Sequence, residues 1–144
     1  MINVLFVCTG NTCRSPMAEA LLKSRNLDGV EVRSAGIYAM QGQGASFHAK
    51  NVLEQANICQ NHSSRLISEA DMEWATYILT MTSSHKAALE SLYPAHKGKV
   101  YTLKGFTEGE DGDIYDPFGG SREQYEETFR ELDEMIQLLA DKMN

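Results

Sequence analysis

The stretch Val4-Leu5-Phe6-Val7-Cys8-Thr9-Gly10-Asn11-Thr12-Cys13-Arg14-Ser15-Pro16 decides how this chain reads. Its apolar opening, with Ile2 before it, predicts a strand over Ile2 to Val7 that is buried on both faces. After it, Met17, Ala20 and Leu21 share one face of a helix, with Ser15 placed to cap it and Pro16 at its first position. Between strand and helix lies the loop Cys8 to Arg14. A loop in that setting points successive backbone N–H groups inward, and the helix N-terminus adds positive potential. Both favour the thiolate form of Cys8, which is the nucleophilic form. Five residues separate Cys8 from Arg14, enough for the chain to curl into a cradle that Arg14 closes as a bidentate fork. Gly10 stands where a tight anion loop calls for glycine. A thiolate and a phosphate dianion repel, so putting both in one cradle points to attack of sulfur on phosphorus.

Outward from this loop, elements alternate as β-α-β-α-(α)-β-α-β-α. Val30 to Ala35 alternates as a strand does, and Gln41 to Gly44 is a polar loop. Ala49, Val52, Leu53 and Ala56 recur at helical spacing. Ser68 to Asp71 looks like a cap for a short helix ending at Trp74. Tyr77 to Met81 reads as a buried strand, Ser84 to Leu92 as a helix, and Val100 to Leu103 as the last strand. Gly105 to Gly112 reads as an acidic, mobile loop. Ser121 and Gln124 form a capping box for the longest helix, whose stripe Tyr125, Phe129, Leu132, Ile136, Leu139 and Met143 reads as core packing alone. The expected fold is therefore α/β: one domain over 1–144, a four-stranded parallel sheet with helices on both faces, and the anion loop after the first strand. In such sheets ligands bind beyond the carboxyl ends of strands, which is where Cys8 falls.

Composition narrows the partners. The chain has 144 residues, one domain's worth, and a net charge of −7. That balance argues against nucleic acid, whose phosphate backbone needs a basic face. Its apolar runs fall short of a membrane span, and Met1-Ile2-Asn3 leads straight into a strand rather than a signal peptide, so the cytoplasm is the expected location. Three cysteines do not make a secreted disulfide framework. Cys8 and Cys13 share one loop with no histidine at zinc-ligand spacing, which argues against a zinc site. A monomer is the default at this size.

Val4 to Ala20 closely resembles the low-molecular-weight protein tyrosine phosphatase family, and Asp116-Pro117 is a second mark of it. The resemblance runs over essentially the whole chain. It implies that Cys8 forms a phosphocysteine intermediate, while the N–H groups of Thr9 to Arg14 and the Arg14 side chain hold the phosphoryl oxygens. No metal or cofactor is implied, and the partners are phosphorylated proteins. Taken alone, Asp116-Pro117 reads as a turn before the last helix. The resemblance makes Asp116 the general acid and then the general base, and Pro117 holds it extended. The resemblance also implies that Asn11 and Ser15 belong to a network shaping the loop, with Ser15 near the thiolate. His62 falls where the family often has a histidine bonded to that network, against the plain alternative of a structural histidine. Cys13 is either a small buried filler or, as the family implies, the thiol that captures oxidised Cys8 as a disulfide. Cys59 carries no motif. Phe118 and Tyr38 are candidates to wall the mouth.

Thr12 and the pair Phe118-Gly119 depart from the tyrosine phosphatases, which often carry a bulky aliphatic residue and two tyrosines there. This combination resembles the protein-arginine phosphatase branch from Gram-positive bacteria, in which the threonine helps to select phosphoarginine. A small polar residue leaves room for a planar guanidinium and offers it a hydroxyl, and Asp116 can orient that cation. Glu108, Glu110, Asp111 and Asp113 either favour a cationic substrate or form a solvated loop. Phosphotyrosine is the alternative substrate. Arsenate reductases with a similar loop need two further redox cysteines, and this chain has only Cys59 beyond the loop. A non-catalytic phosphate-binding module would have no use for both Cys8 and Asp116.

Overall fold

A computed structural model describes residues 1–58 and 61–143; Cys59 lies outside the described residues. In chain order the elements are β1 (Ile2–Cys8), α1 (Arg14–Lys23), β2 (Val30–Gly36), α2 (Phe47–Gln55), α3 (Glu69–Trp74) and β3 (Tyr77–Thr80). There follow α4 (Ser83–Leu92), a 3-10 segment (Pro94–Lys99), β4 (Val100–Thr102), α5 (Leu103–Glu108) and α6 (Arg122–Met143). The four strands are parallel in the order β2-β1-β3-β4. The central β1 explains the apolar run that opens the chain: Val4 and Phe6 face one core, Leu5 and Val7 the other, and all four are fully buried. The first core is closed by α1, α2, α5 and α6, the second by α3 and α4. From β1 the chain goes to β2 on one side, while β3 and β4 lie on the other. The crevice at this reversal opens between the ends of β1 and β3.

Three local expectations are corrected. The last strand ends at Thr102, and Leu103 begins a helix rather than closing the strand; the Thr102 hydroxyl accepts from Gly105 N–H at 2.9 Å as its cap. The acidic segment is accordingly not a free loop. Asp111 accepts from Thr102 Oγ1 at 3.0 Å and pairs with Lys86 at 3.1 Å, and Asp113 accepts from Ser83 N–H at 2.8 Å. Ala56 lies one residue past α2 and is exposed, leaving Ala49, Val52 and Leu53 as that helix's buried stripe. Two caps fall as expected: Ser68 with Asp71 on α3, and Ser121 with Gln124 on α6.

Candidate active site

The loop after β1 and the loop before α6 meet in a cavity of about 220 Å³ lined by Cys8, Thr9, Gly10, Thr12, Cys13, Arg14, Asp116 and Phe118. A larger, shallower depression of about 510 Å³, bordered by Leu22, Asn26, Asp28 and Glu31, lies at the start of β2 and holds no thiol or imidazole. Cys8 is buried at the end of β1 with its sulfur 2.8 Å from Ser15 Oγ. Helix α1 begins at Arg14, so Ser15 is inside it and does not cap it, contrary to expectation; Cys13 is the N-cap and offers no side-chain cap. The physical reason is competition for donors. A side-chain cap would consume the first-turn N–H groups that an anion in the cavity needs.

Bond directions follow from the donor count. Asn11 Nδ2 has two hydrogens and donates one to Ser15 Oγ and one to Ser34 Oγ, each at 2.9 Å. Ser15 Oγ, already accepting, is free to donate to a Cys8 thiolate. Ser34 in turn donates to Glu19 Oε1 at 2.5 Å. Asn11 Oδ1 accepts from Arg65 N–H at 2.9 Å, and Asn11 O accepts from His62 Nε2–H at 2.5 Å. Through Asn11 O, His62 is bonded into the network, with its Nδ1 3.6 Å from Glu19 Oε1. Burial opposes ionisation of Glu19, yet the nearby His62 ring and hydrogen bonds from Lys23 and Ser34 bring it down to about 2. Asn11 and Ser15, both fully buried, stand behind the loop and do not line the cavity.

The glycine requirement also falls elsewhere than expected. The left-handed residue of the loop is Asn11 (φ 57°), and a Cβ on Gly10 would meet only Thr12 Oγ1 at 3.7 Å. The indispensable glycine is Gly36, at the end of β2 opposite Cys8. A Cβ there would sit 2.6 Å from Thr9 O and 3.0 Å from Asn11 N.

Arg14 is buried, and its guanidinium donates to Ile114 O at 3.0 Å. Its other terminal nitrogen lies 3.4 Å from Asp116 Oδ2, a pair with side chains 5% and 52% exposed. The cation is thus fixed while the carboxylate faces the opening. Ile114 N–H donates to Met81 O at 2.8 Å, which anchors this loop to the end of β3. Asp116 Oδ1 accepts from Phe118 N–H at 3.0 Å, so the turn is present, and the same residue lines the cavity. Phe118 is 75% exposed at the mouth; Tyr38 is exposed but does not line the cavity.

Two contacts were not anticipated. Tyr125, placed in the core stripe of α6, lies with its hydroxyl 3.2 Å from Cys13 Sγ and 3.3 Å from Ser46 Oγ. Burial and the Cys13 contact push its phenol up to about 12. His85, in the first turn of α4, has Nε2 2.9 Å from Thr9 Oγ1. A hydroxyl-bearing residue in an otherwise wholly apolar stripe was a faint signal for the first, whereas nothing local marked the second. The arrangement offers a shielded sulfur with a hydroxyl donor, a fixed guanidinium and a carboxylate at the entrance, which suits displacement at a tetrahedral oxyanion.

Residues 3–144 match the model of the low molecular weight phosphotyrosine protein phosphatase family. A protein-arginine-phosphatase of Geobacillus stearothermophilus is 51% identical over 97% of this chain and 95% of its own length. A low molecular weight protein-tyrosine-phosphatase, PtpB of Staphylococcus haemolyticus, is 41% identical over 91% and 92%. Among solved structures, a cysteine-to-serine mutant of the YwlE arginine phosphatase with a phosphorylated active-site serine superposes with a TM-score of 0.96. It is 44% identical, over 99% of this chain and 95% of that one.

Proposed function

The chain belongs to the low molecular weight phosphotyrosine protein phosphatase family, and from that premise we propose that it hydrolyses phosphoarginine in proteins, with Cys8, Arg14 and Asp116 as its catalytic residues. Cys8 sulfur attacks phosphorus, the P–N bond breaks with its electron pair going to nitrogen, and Asp116 gives the leaving guanidine a proton. Water then attacks the thiophosphate and gives its proton to the Asp116 carboxylate; the S–P bond breaks, releasing phosphate and the Cys8 thiolate. The N–H groups from Thr9 to Arg14 and the Arg14 guanidinium hold the phosphoryl oxygens throughout. Fixed donors of this kind supply the charge stabilisation that a metal ion supplies elsewhere.

The observation that carries the substrate choice is Thr12. It lines the cavity with Cys8, Arg14 and Asp116, leaving space and a hydroxyl where a planar guanidinium would lie. The half-exposed Asp116 carboxyl can accept from a guanidinium N–H through its unprotonated oxygen while its other oxygen carries the proton for the leaving nitrogen, and a phenyl ring has no N–H to offer it. The name of the Geobacillus relative supports the same choice. Phe118 borders the substrate, and Gly10 and Cys13 complete the wall. Cys13 is also the thiol positioned in sequence to capture oxidised Cys8, making the enzyme redox-sensitive. The protein acts as a monomer in the cytoplasm on phosphorylated proteins rather than on nucleic acid or membranes; among the described residues no helix is long and apolar enough to cross a membrane.

The test is kcat/KM for phosphoarginine and phosphotyrosine in the same peptide, for wild type and Thr12→Ile. A phosphoarginine preference that drops about tenfold or more in the variant is expected. A phosphotyrosine preference insensitive to position 12 would replace this reading with that of a tyrosine phosphatase.

A further inference from the structure

We propose that His85 is a positioning residue for the cavity: as the Nε2–H tautomer it donates to Thr9 Oγ1 and so turns the Thr9 hydroxyl hydrogen toward the anion held beside Cys8. The inference rests on the phosphatase reading only for the identity of that anion. His85 is buried in the first turn of α4, its backbone N–H held by Thr82 Oγ1 at 3.1 Å, and its ring is 2.9 Å from Thr9 Oγ1. Burial, and then the Arg14 cation, hold it down to about 4 against the opposing pull of Asp116 and Asp113, so at neutral pH it is uncharged and must choose a tautomer. Its Nδ1 is buried and has no hydrogen-bond partner among the described residues. A proton on Nδ1 would be an orphaned buried donor, which proteins tolerate less well than an orphaned lone pair. The proton therefore belongs on Nε2, where Thr9 Oγ1 receives it. With its oxygen accepting, the Thr9 hydroxyl keeps one hydrogen to give, and among the described residues its side chain has no other partner. Thr9 lines the cavity, so the hydrogen is available to the negative charge there. A neutral imidazole thus extends the cradle by one donor without placing a second cation beside Arg14.

Long-range proton–nitrogen NMR on the intact wild-type protein, with labelled histidine, reads the tautomer directly, and loss of the signals in His85→Gln assigns them. The Nε2–H pattern is expected; the Nδ1–H pattern overturns the proposal. Because the tautomer is read on the native chain, a variant that folds poorly does not remove the test. Competitive inhibition by inorganic phosphate supplies the functional arm. Thr9→Val and His85→Leu should each weaken it about three- to tenfold, and the double variant no more than the worse single one. Full multiplication of the two effects in the double variant would make His85 merely structural. Loss of turnover in Cys8→Ser tests the phosphatase reading separately, and either result can fail while the other stands.

Discussion

Replacing Asn11 by alanine should damage the site and the fold together, by amounts that the structure separates. The side chain is fully buried, makes two donor bonds to Ser15 and Ser34, and accepts from Arg65 N–H, all at 2.9 Å. Losing the acceptor leaves a backbone donor unpaired, which costs about 1 kcal/mol at a half-buried position, and each lost donation to a hydroxyl costs about 0.5 kcal/mol. Alanine at φ 57° adds about 1 kcal/mol that asparagine largely avoids. The expected loss is about 3 kcal/mol, large against the roughly 5–15 kcal/mol typical of a domain but not enough to unfold it. Asn11→Gly removes the same bonds without the steric penalty, so it should be about 1 kcal/mol more stable than Asn11→Ala, less glycine's extra chain entropy. In both variants Ser15 loses the donor that directs its hydroxyl at Cys8, so turnover should fall about tenfold or more. Urea unfolding followed by circular dichroism gives the stabilities, and hydrolysis of an aryl phosphate gives the rates. An alanine variant with wild-type turnover would refute the directional chain from Asn11 through Ser15 to sulfur. A loss below about 1 kcal/mol would refute the bond accounting behind it.

The remaining expectations concern single groups. Asp116→Asn should slow cleavage most for substrates with basic leaving groups; equal slowing for good and poor leaving groups would remove Asp116 from the acid role. Glu19 sits at about 2 in the folded protein against 4.5 unfolded, so its contribution is complete above pH 4.5 and is lost as the pH falls toward 2. Glu19→Gln should therefore be about 2–3 kcal/mol less stable than wild type at neutral pH, with the gap closing below pH 4.5 in urea unfolding. A gap that stays constant on acidification contradicts the assignment. Peroxide should inactivate the enzyme reversibly, with thiol-driven recovery poorer in Cys13→Ser; unchanged recovery rejects Cys13 as the capturing thiol.

Much of the fold was legible because its signals are local. The run Val4 to Val7 demanded a strand buried on both faces, and the spacing of Leu132, Ile136 and Leu139 demanded a helix on a core. The capping boxes at Ser68 and Ser121 join residues three apart. Helix α5 was hidden because Gly105 and the acidic residues after it look like loop, whereas the Thr102 cap and the packing of Leu103 in the core override that weak propensity.

The sequence by itself determined the sheet's parallel character, the position of the loop at the end of the first strand, and the presence of a thiol, Cys8, and a guanidinium, Arg14, in that one loop. Those follow from periodicity and from residue types a few positions apart. Tertiary structure alone decided which groups serve that loop. Thr9 and His85 are 76 residues apart, and Cys13 and Tyr125 are 112 apart. Gly36 matters only because β2 registers against β1. Ser15 had two possible uses, as a cap or as a donor to sulfur. Cys13 took the cap position, and Asn11, tied to Ser34 once the sheet had brought β2 beside the loop, turns the Ser15 hydroxyl toward sulfur. Hydrogen-bond partners are settled by competition among groups brought together in space, and that competition has no one-dimensional signature.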